Sequence, residues 1–135
     1  MILIKIGGGK KINLDYICED IKTLIDQGEK VVLVHGASVI RDEIAKKMGM
    51  PTRTITSPSG INSVYSDKDA IDIFLMTYSG LVNKKIVAKL QQFGVNAVGL
   101  SGIDGQLWKG KRKTAVYSND GTKTKLITNN MTGKV

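Results

Sequence analysis

An almost unbroken apolar run, Ile2-Leu3-Ile4-Lys5-Ile6, stops at Gly7-Gly8-Gly9, and this feature most constrains the fold. A second run, Val31-Val32-Leu33-Val34, stops at His35-Gly36-Ala37-Ser38. Short, mostly β-branched runs of this kind read as strands buried on both faces, as in parallel sheets covered by helices. Between them Asn13 is placed to cap a helix whose Leu14, Ile17, Ile21, Leu24 and Ile25 share one stripe, with Gly28 as terminator. Beyond the second run, Ile40, Ile44 and Met48 give another helix its inner face, ended by Gly49. Strand, helix, strand, helix at this spacing is a βαβα unit with a right-handed crossover. An α/β domain is expected.

Residues 51–66 break the rhythm. Thr52-Arg53-Thr54-Ile55-Thr56 reads as an exposed strand, and Pro58-Ser59-Gly60 as a turn. Asp67 then caps a long helical pattern to Gln92, in which Ile71, Leu75, Tyr78, Val82, Ile86 and Leu90 recur every three or four residues. Gly80 inside it costs about 1 kcal/mol relative to alanine, so a bend or close packing is expected there. Residues 96–100 read as a third core strand. Residues 114–117 and 123–127 flank Asn119-Asp120-Gly121, the signature of a β-hairpin.

The length, 135 residues, suits one domain. One cysteine, Cys18, excludes an intramolecular disulfide framework and a zinc site built from several thiolates. No apolar run reaches membrane-spanning length and no basic leader precedes the first strand, so a soluble, cytoplasmic chain is expected. The formal charge of +8 is one-sided: residues 73–135 hold half the basic residues but only Asp104 and Asp120 among the acids. Such asymmetry suits an anionic partner or a solvated lysine surface. The basic run Lys109, Lys111, Arg112 and Lys113 has only Trp108 interleaved, which argues against nucleic acid.

Glycines at two strand ends allow backbone N–H groups to approach an anion, and a following helix N-terminus adds partial positive charge. The pattern matches neither the phosphate-binding loop nor the dinucleotide fingerprint, and tight turns explain the same glycines. Lys5 is the sharper anomaly, an ammonium among isoleucines two residues before the glycines. There it can neutralise a phosphoryl group, or point to water from an edge strand. His35, the single histidine, has no ligand-spaced partner for a metal. No metal site is expected.

Four stretches together resemble the amino acid kinase family, in its acetylglutamate kinase branch. They are Ile4-Lys5-Ile6-Gly7-Gly8-Gly9, Val32-Leu33-Val34-His35-Gly36-Ala37-Ser38, Gly80-Leu81-Val82-Asn83-Lys84, and Asn96-Ala97-Val98-Gly99-Leu100-Ser101-Gly102-Ile103-Asp104-Gly105. Ser57-Pro58-Ser59-Gly60 and Gly110-Lys111-Arg112-Lys113-Thr114 look most like the subgroup that acts on carrier-linked α-aminoadipate or glutamate. The resemblance implies the N-terminal part of a three-layer αβα sandwich with a mainly parallel sheet and a β-hairpin excursion. In that picture residues 1–135 are the substrate-binding half, and the nucleotide-binding half is absent.

The implied reaction is transfer of phosphate from ATP, with Mg2+, to a side-chain carboxylate, giving an acyl phosphate in lysine or arginine biosynthesis. Lys5 stabilises the transferring group, Gly8 donates a backbone N–H to it, and Gly36 and Ala37 hold the substrate. Lys111, Arg112 and Lys113 face an acidic amino-group carrier protein. Val64 and Asn62 stand where relatives carry substrate-binding arginines, and neither makes the bidentate pair that arginine makes with a carboxylate. Acetylglutamate kinase acting on free N-acetylglutamate and a non-catalytic binding module are the alternatives. No nucleic-acid or membrane partner is expected, and the full-length form is expected to be a homo-oligomer.

Overall fold

The structure is a computed structural model that describes residues 1–119, 121 and 123–135. Asp120 and Thr122, on which the expected hairpin turn falls, lie outside the described residues. β1 (Ile2–Ile6) pairs in parallel with β2 (Val31–His35), in a register that sets Lys5 opposite Val34. α1 (Leu14–Asp26) connects them. It starts as expected, with Asn13 Oδ1 accepting from Asp15 N at 2.9 Å, and Gly28 follows its end at φ +83°. α2 (Ser38–Lys47) follows β2 and ends near Gly49 at φ +70°. Its buried residue is Ala45, while Met48, expected on the inner face, is exposed.

The long helical pattern folds as three joined pieces: α3 (Lys68–Phe74), a π-helical segment (Leu75–Val82) and α4 (Asn83–Gln92). Asp67 caps the first through Ala70 N at 3.0 Å. The wide π turns carry Gly80, and they change which face is buried. Up to Thr77, early in the π segment, the buried positions are Ala70, Ile73 and Thr77, packed toward α2; from Val82, its last residue, they are Val82, Ile86 and Leu90, packed toward α1. Leu75, part of the expected continuous stripe, is exposed. One amphipathic helix cannot serve two differently oriented neighbours, so the phase shifts where they meet.

The main core forms where α1 and α4 cover one face of β1 and β2: Cys18, Ile21, Val82, Ile86 and Leu90 against Ile4, Ile6, Val31 and Leu33. Lys89 Nζ, 2.5 Å from Asp15 Oδ1, fastens the two helices at the rim. The opposite sheet face, expected to be buried, is open within the chain: Leu3 is 71% exposed and Val32 is also exposed. Among the described residues this face carries no covering layer, and the strands pair in small sheets rather than one mainly parallel sheet.

Residues 95–100 correct another expectation. Burial alternates along them as in a strand, but they pair with no strand among the described residues. Side chains of α4 take their carbonyls instead: Gln91 Nε2 donates to Ala97 O at 3.4 Å, Lys84 Nζ to Gly99 O at 2.9 Å and Asn83 Nδ2 to Leu100 O at 3.2 Å. Val98 is 81% exposed.

Three antiparallel pairs complete the fold. β3 (Thr54–Thr56) and β4 (Asn62–Val64) form a hairpin around the expected turn, with Gly60 at φ +81°. β5 (Lys111–Arg112) pairs with β8 (Gly133–Lys134), and β6 (Val116–Asn119) with β7 (Thr124–Ile127). No helix among the described residues is long and apolar enough to cross a membrane.

Candidate functional site

The two glycine turns meet at one end of the parallel pair. Gly36 N donates to Ile6 O at 3.0 Å, and Gly8 O accepts from Val39 N at 3.2 Å and from Ser38 Oγ at 3.3 Å. The first turn of α2 therefore holds the first loop by its carbonyl. The approach is close enough to require glycine: a Cβ on Gly8 would stand 2.6 Å from Ala37 N, and one on Gly36 would stand 2.7 Å from Gly8 N. Gly9 faces open space. The result is a small concave surface of backbone in which the nitrogens of Gly8, Ala37 and Ser38 cluster at the start of α2. Oriented amide groups at a helix N-terminus favour an anion.

A cavity of about 240 Å3 opens beside this backbone. Gly7, Gly8, Gly9, Gly36 and Ala37 line it together with Lys10 and with the apolar Ile40, Val82 and Ile86. The sequence signal for Lys10 is its place directly after the glycines.

Lys5 is exposed at the end of β1, on the open sheet face, and makes no ion pair or hydrogen bond among the described residues. It does not line the cavity. Asn62 and Val64 lie on β4, away from the cavity lining. Asn62 is exposed and its Oδ1 accepts from Thr56 Oγ1 at 2.8 Å; Val64 is half-buried opposite Thr54. Lys111, Arg112 and Lys113 are exposed on the β5–β8 ribbon, where the register sets Lys111 opposite Lys134. Arg112 Nη2 donates to the neutral carbonyl of Asn130 at 3.1 Å, so its charge stays beside those of the two lysines.

His35 and Asn83 adjoin the cradle from within. His35 Nε2 lies 3.4 Å from Asn83 Nδ2, and its Nδ1 lies 3.4 Å from Gly36 O. In the sequence Asn83 stands out only within Gly80-Leu81-Val82-Asn83-Lys84. Its signal was an amide directly after a stripe position, where the helix turns toward the core.

A loop after residue 100 is organised by Asp104, whose Oδ2 accepts from Ser101 N at 2.6 Å and from Ser101 Oγ at 2.7 Å. Those two bonds hold its carboxyl below the ordinary range, with Lys84 assisting. Trp108 folds back over Gly102, where a Cβ would meet the indole at 3.2 Å. A second cavity, about 180 Å3, lies beside Arg53 and Asp67, but Arg53 is already held by Asp67 and by the Tyr65 ring, 4.4 Å from its centroid.

The family model described as "Amino acid kinase family" matches residues 1–133. The chain is 43% identical over 98% of its length to the [LysW]-aminoadipate kinase of Deinococcus radiodurans, covering 46% of that protein. It is 43% identical over its whole length to the [LysW]-aminoadipate kinase of Thermus thermophilus, covering 50% of it. A [LysW]-aminoadipate/[LysW]-glutamate kinase of Saccharolobus solfataricus is 40% identical, again with 50% of that protein covered. The chain thus spans about half the length of the curated relatives it matches. With its glycine turns, its βαβα core and a match along nearly all its residues, the chain belongs to the amino acid kinase family.

Proposed function

We propose that residues 1–135 form the acceptor-binding half of an ATP-dependent kinase. It phosphorylates the side-chain carboxylate of α-aminoadipate or glutamate carried on an acidic protein, in lysine or arginine biosynthesis. One observation carries the reading: the Gly8–Gly36 approach, which makes a backbone cradle at the start of α2 in a chain of this family. The names of the relatives support the substrate class.

In the proposed reaction a carboxylate oxygen attacks the γ-phosphorus of ATP, and acyl phosphate and ADP result. When bound, ATP supplies the phosphoryl group and Mg2+ offsets phosphate charge. The cradle suits the phosphate end of such a ligand. Mg2+ in a kinase site is commonly held through the phosphate oxygens with few carboxylates, which such a cradle leaves room for. Backbone N–H groups of Gly8 and Ala37 hold negative oxygen without reorganising, which is the economical way to stabilise a charged transition state. Lys5, unpaired at the end of β1, offsets charge on the transferring group. Gly36 and Ala37 orient the acceptor. Lys111, Arg112 and Lys113, with Lys134 across the ribbon, attract the acidic carrier and raise its encounter rate.

The test is calorimetric titration of the chain with an amino-group carrier protein bearing α-aminoadipate. Binding is expected to weaken with salt, and by about tenfold when Lys111, Arg112 and Lys113 are all replaced by alanine. Salt-independent binding of free N-acetylglutamate instead would move the substrate to the small molecule. In a kinase whose matched half is replaced by residues 1–135, hydroxylamine should trap an acyl phosphate, and Lys5→Met should lower kcat by about 10²–10³-fold. Carrier binding with no acyl phosphate would leave a binding module.

A further inference from the structure

Asn83 is 7% exposed, a polar side chain at the first position of α4 where its neighbours on the core face are Val82 and Ile86. Its Nδ2 serves two elements. It donates to Leu100 O at 3.2 Å, and it faces His35 Nε2 at 3.4 Å, which accepts from it when the ring proton is on Nδ1. Its Oδ1 is buried with no partner among the described residues. A leucine of the same size would avoid that orphan acceptor, so packing alone does not account for an amide here. Gly99 makes the arrangement possible: a Cβ there would stand 2.7 Å from Val87 Cγ2 and closer still to Asn83 Oδ1.

The two acceptors are both last residues before a loop. His35 precedes Gly36 and Ala37 of the cradle, and Leu100 precedes the loop of residues 101–108 that Asp104 and Trp108 organise. Residues 95–100 have no strand partner among the described residues that would fix their end, so the α4 side chains do it. We infer that Asn83 is a positioning residue that ties the end of β2 to residues 101–108, so that this loop responds when an anion occupies the glycine cradle. The inference rests on the cradle reading above.

The test uses the whole chain, 15N-labelled, titrated with inorganic phosphate and followed by amide chemical shifts. In the wild type, Gly8, Gly36 and Ala37 should shift, and residues 101–108 should shift with the same midpoint. Asn83→Leu should keep the first response and reduce the second at least fivefold. Gly99→Ala, which displaces the amide without removing it, should do the same. Lys22→Met, which removes the surface pair with Asp26 in α1, should leave both responses in place. A merely structural amide would alter stability in the variants without separating the two responses. The inference is overturned if residues 101–108 stay silent in the wild type while the cradle responds, a result that needs no variant to fold. It is equally overturned if they respond unchanged in Asn83→Leu. A silent cradle would refute the phosphate-binding reading itself, and this inference with it.

Discussion

Asp67 divides its two carboxylate oxygens between two tasks: Oδ1 accepts from Ala70 N at 3.0 Å, and Oδ2 accepts from Arg53 Nη2 at 2.6 Å. The first bond caps α3, and the second fastens the residue before β3 to the start of that helix. Both favour the ionised form. The Ala70 N–H, with Arg53 assisting, holds the carboxyl below its ordinary range.

Asp67→Ala should therefore cost about 1 kcal/mol from the lost cap, with a smaller loss from the mostly exposed arginine. The sign with pH follows from linkage. A carboxyl whose folded value is depressed contributes its stability in full above the unfolded value, about pH 4, and loses it as pH falls through the folded value. Urea unfolding followed by circular dichroism should show the gap between Asp67→Ala and the wild type at pH 7, and show it closing toward pH 3. A gap that persists undiminished in acid would remove the carboxylate from this account.

The glycines should separate by position rather than by residue type. Gly8→Ala and Gly36→Ala each drive a methyl group into backbone, and overpacking of that kind costs about 1–3 kcal/mol. Gly9→Ala meets open space and should change stability by less than about 0.5 kcal/mol. Thermal unfolding reads the three variants, and phosphate titration should show the first two failing to bind. Equal tolerance at all three positions would mean that the two turns do not meet.

Cys18 is 1% exposed, and burial raises its thiol, with Asp15 adding to the rise and Lys89 opposing it. The protonated form is the one the fold favours. Stability from this group is present below the unfolded thiol value and falls as pH rises through the folded one. An aromatic disulfide reagent should label the native chain at least tenfold more slowly than the chain in urea, because both access and thiolate are limited. Labelling at the unfolded rate under native conditions would contradict the packing of α1 against α4.

Much of the molecule was legible because its signals are local. Asn13 and Asp67 cap the helices they were expected to cap, and Gly28, Gly49 and Gly60 all adopt the positive φ that turns and helix ends require. The parallel pairing of β1 with β2 followed from two apolar runs separated by one helix. The helix from 68 to 92 shows where such signals fail. Ile71, Leu75 and Tyr78 continue the stripe of Val82, Ile86 and Leu90 in sequence, yet the packing of α3 on α2 buries Ile73 and Thr77 instead, with Thr77 Oγ1 bonded to Ile73 O at 2.7 Å. Periodicity says that a face is apolar, not which neighbour will cover it.

The same distinction applies to the candidate site. Glycines at 8 and 36 could be read from the sequence, but their mutual contact, the place of Lys10 in the cavity lining and the linking of His35 to Leu100 through Asn83 could not. Residues 96–100 had every mark of a core strand except a partner among the described residues. Chain composition and order determined the caps, the turns and the βαβα core, because each depends on residues a few positions apart. The tertiary structure alone decided how residues 96–100 are held, which sheet face is covered and which amide joins two loops. Those outcomes depend on surfaces brought together from distant parts of the chain, where sterics and hydrogen-bond satisfaction choose among faces that the local pattern leaves equivalent.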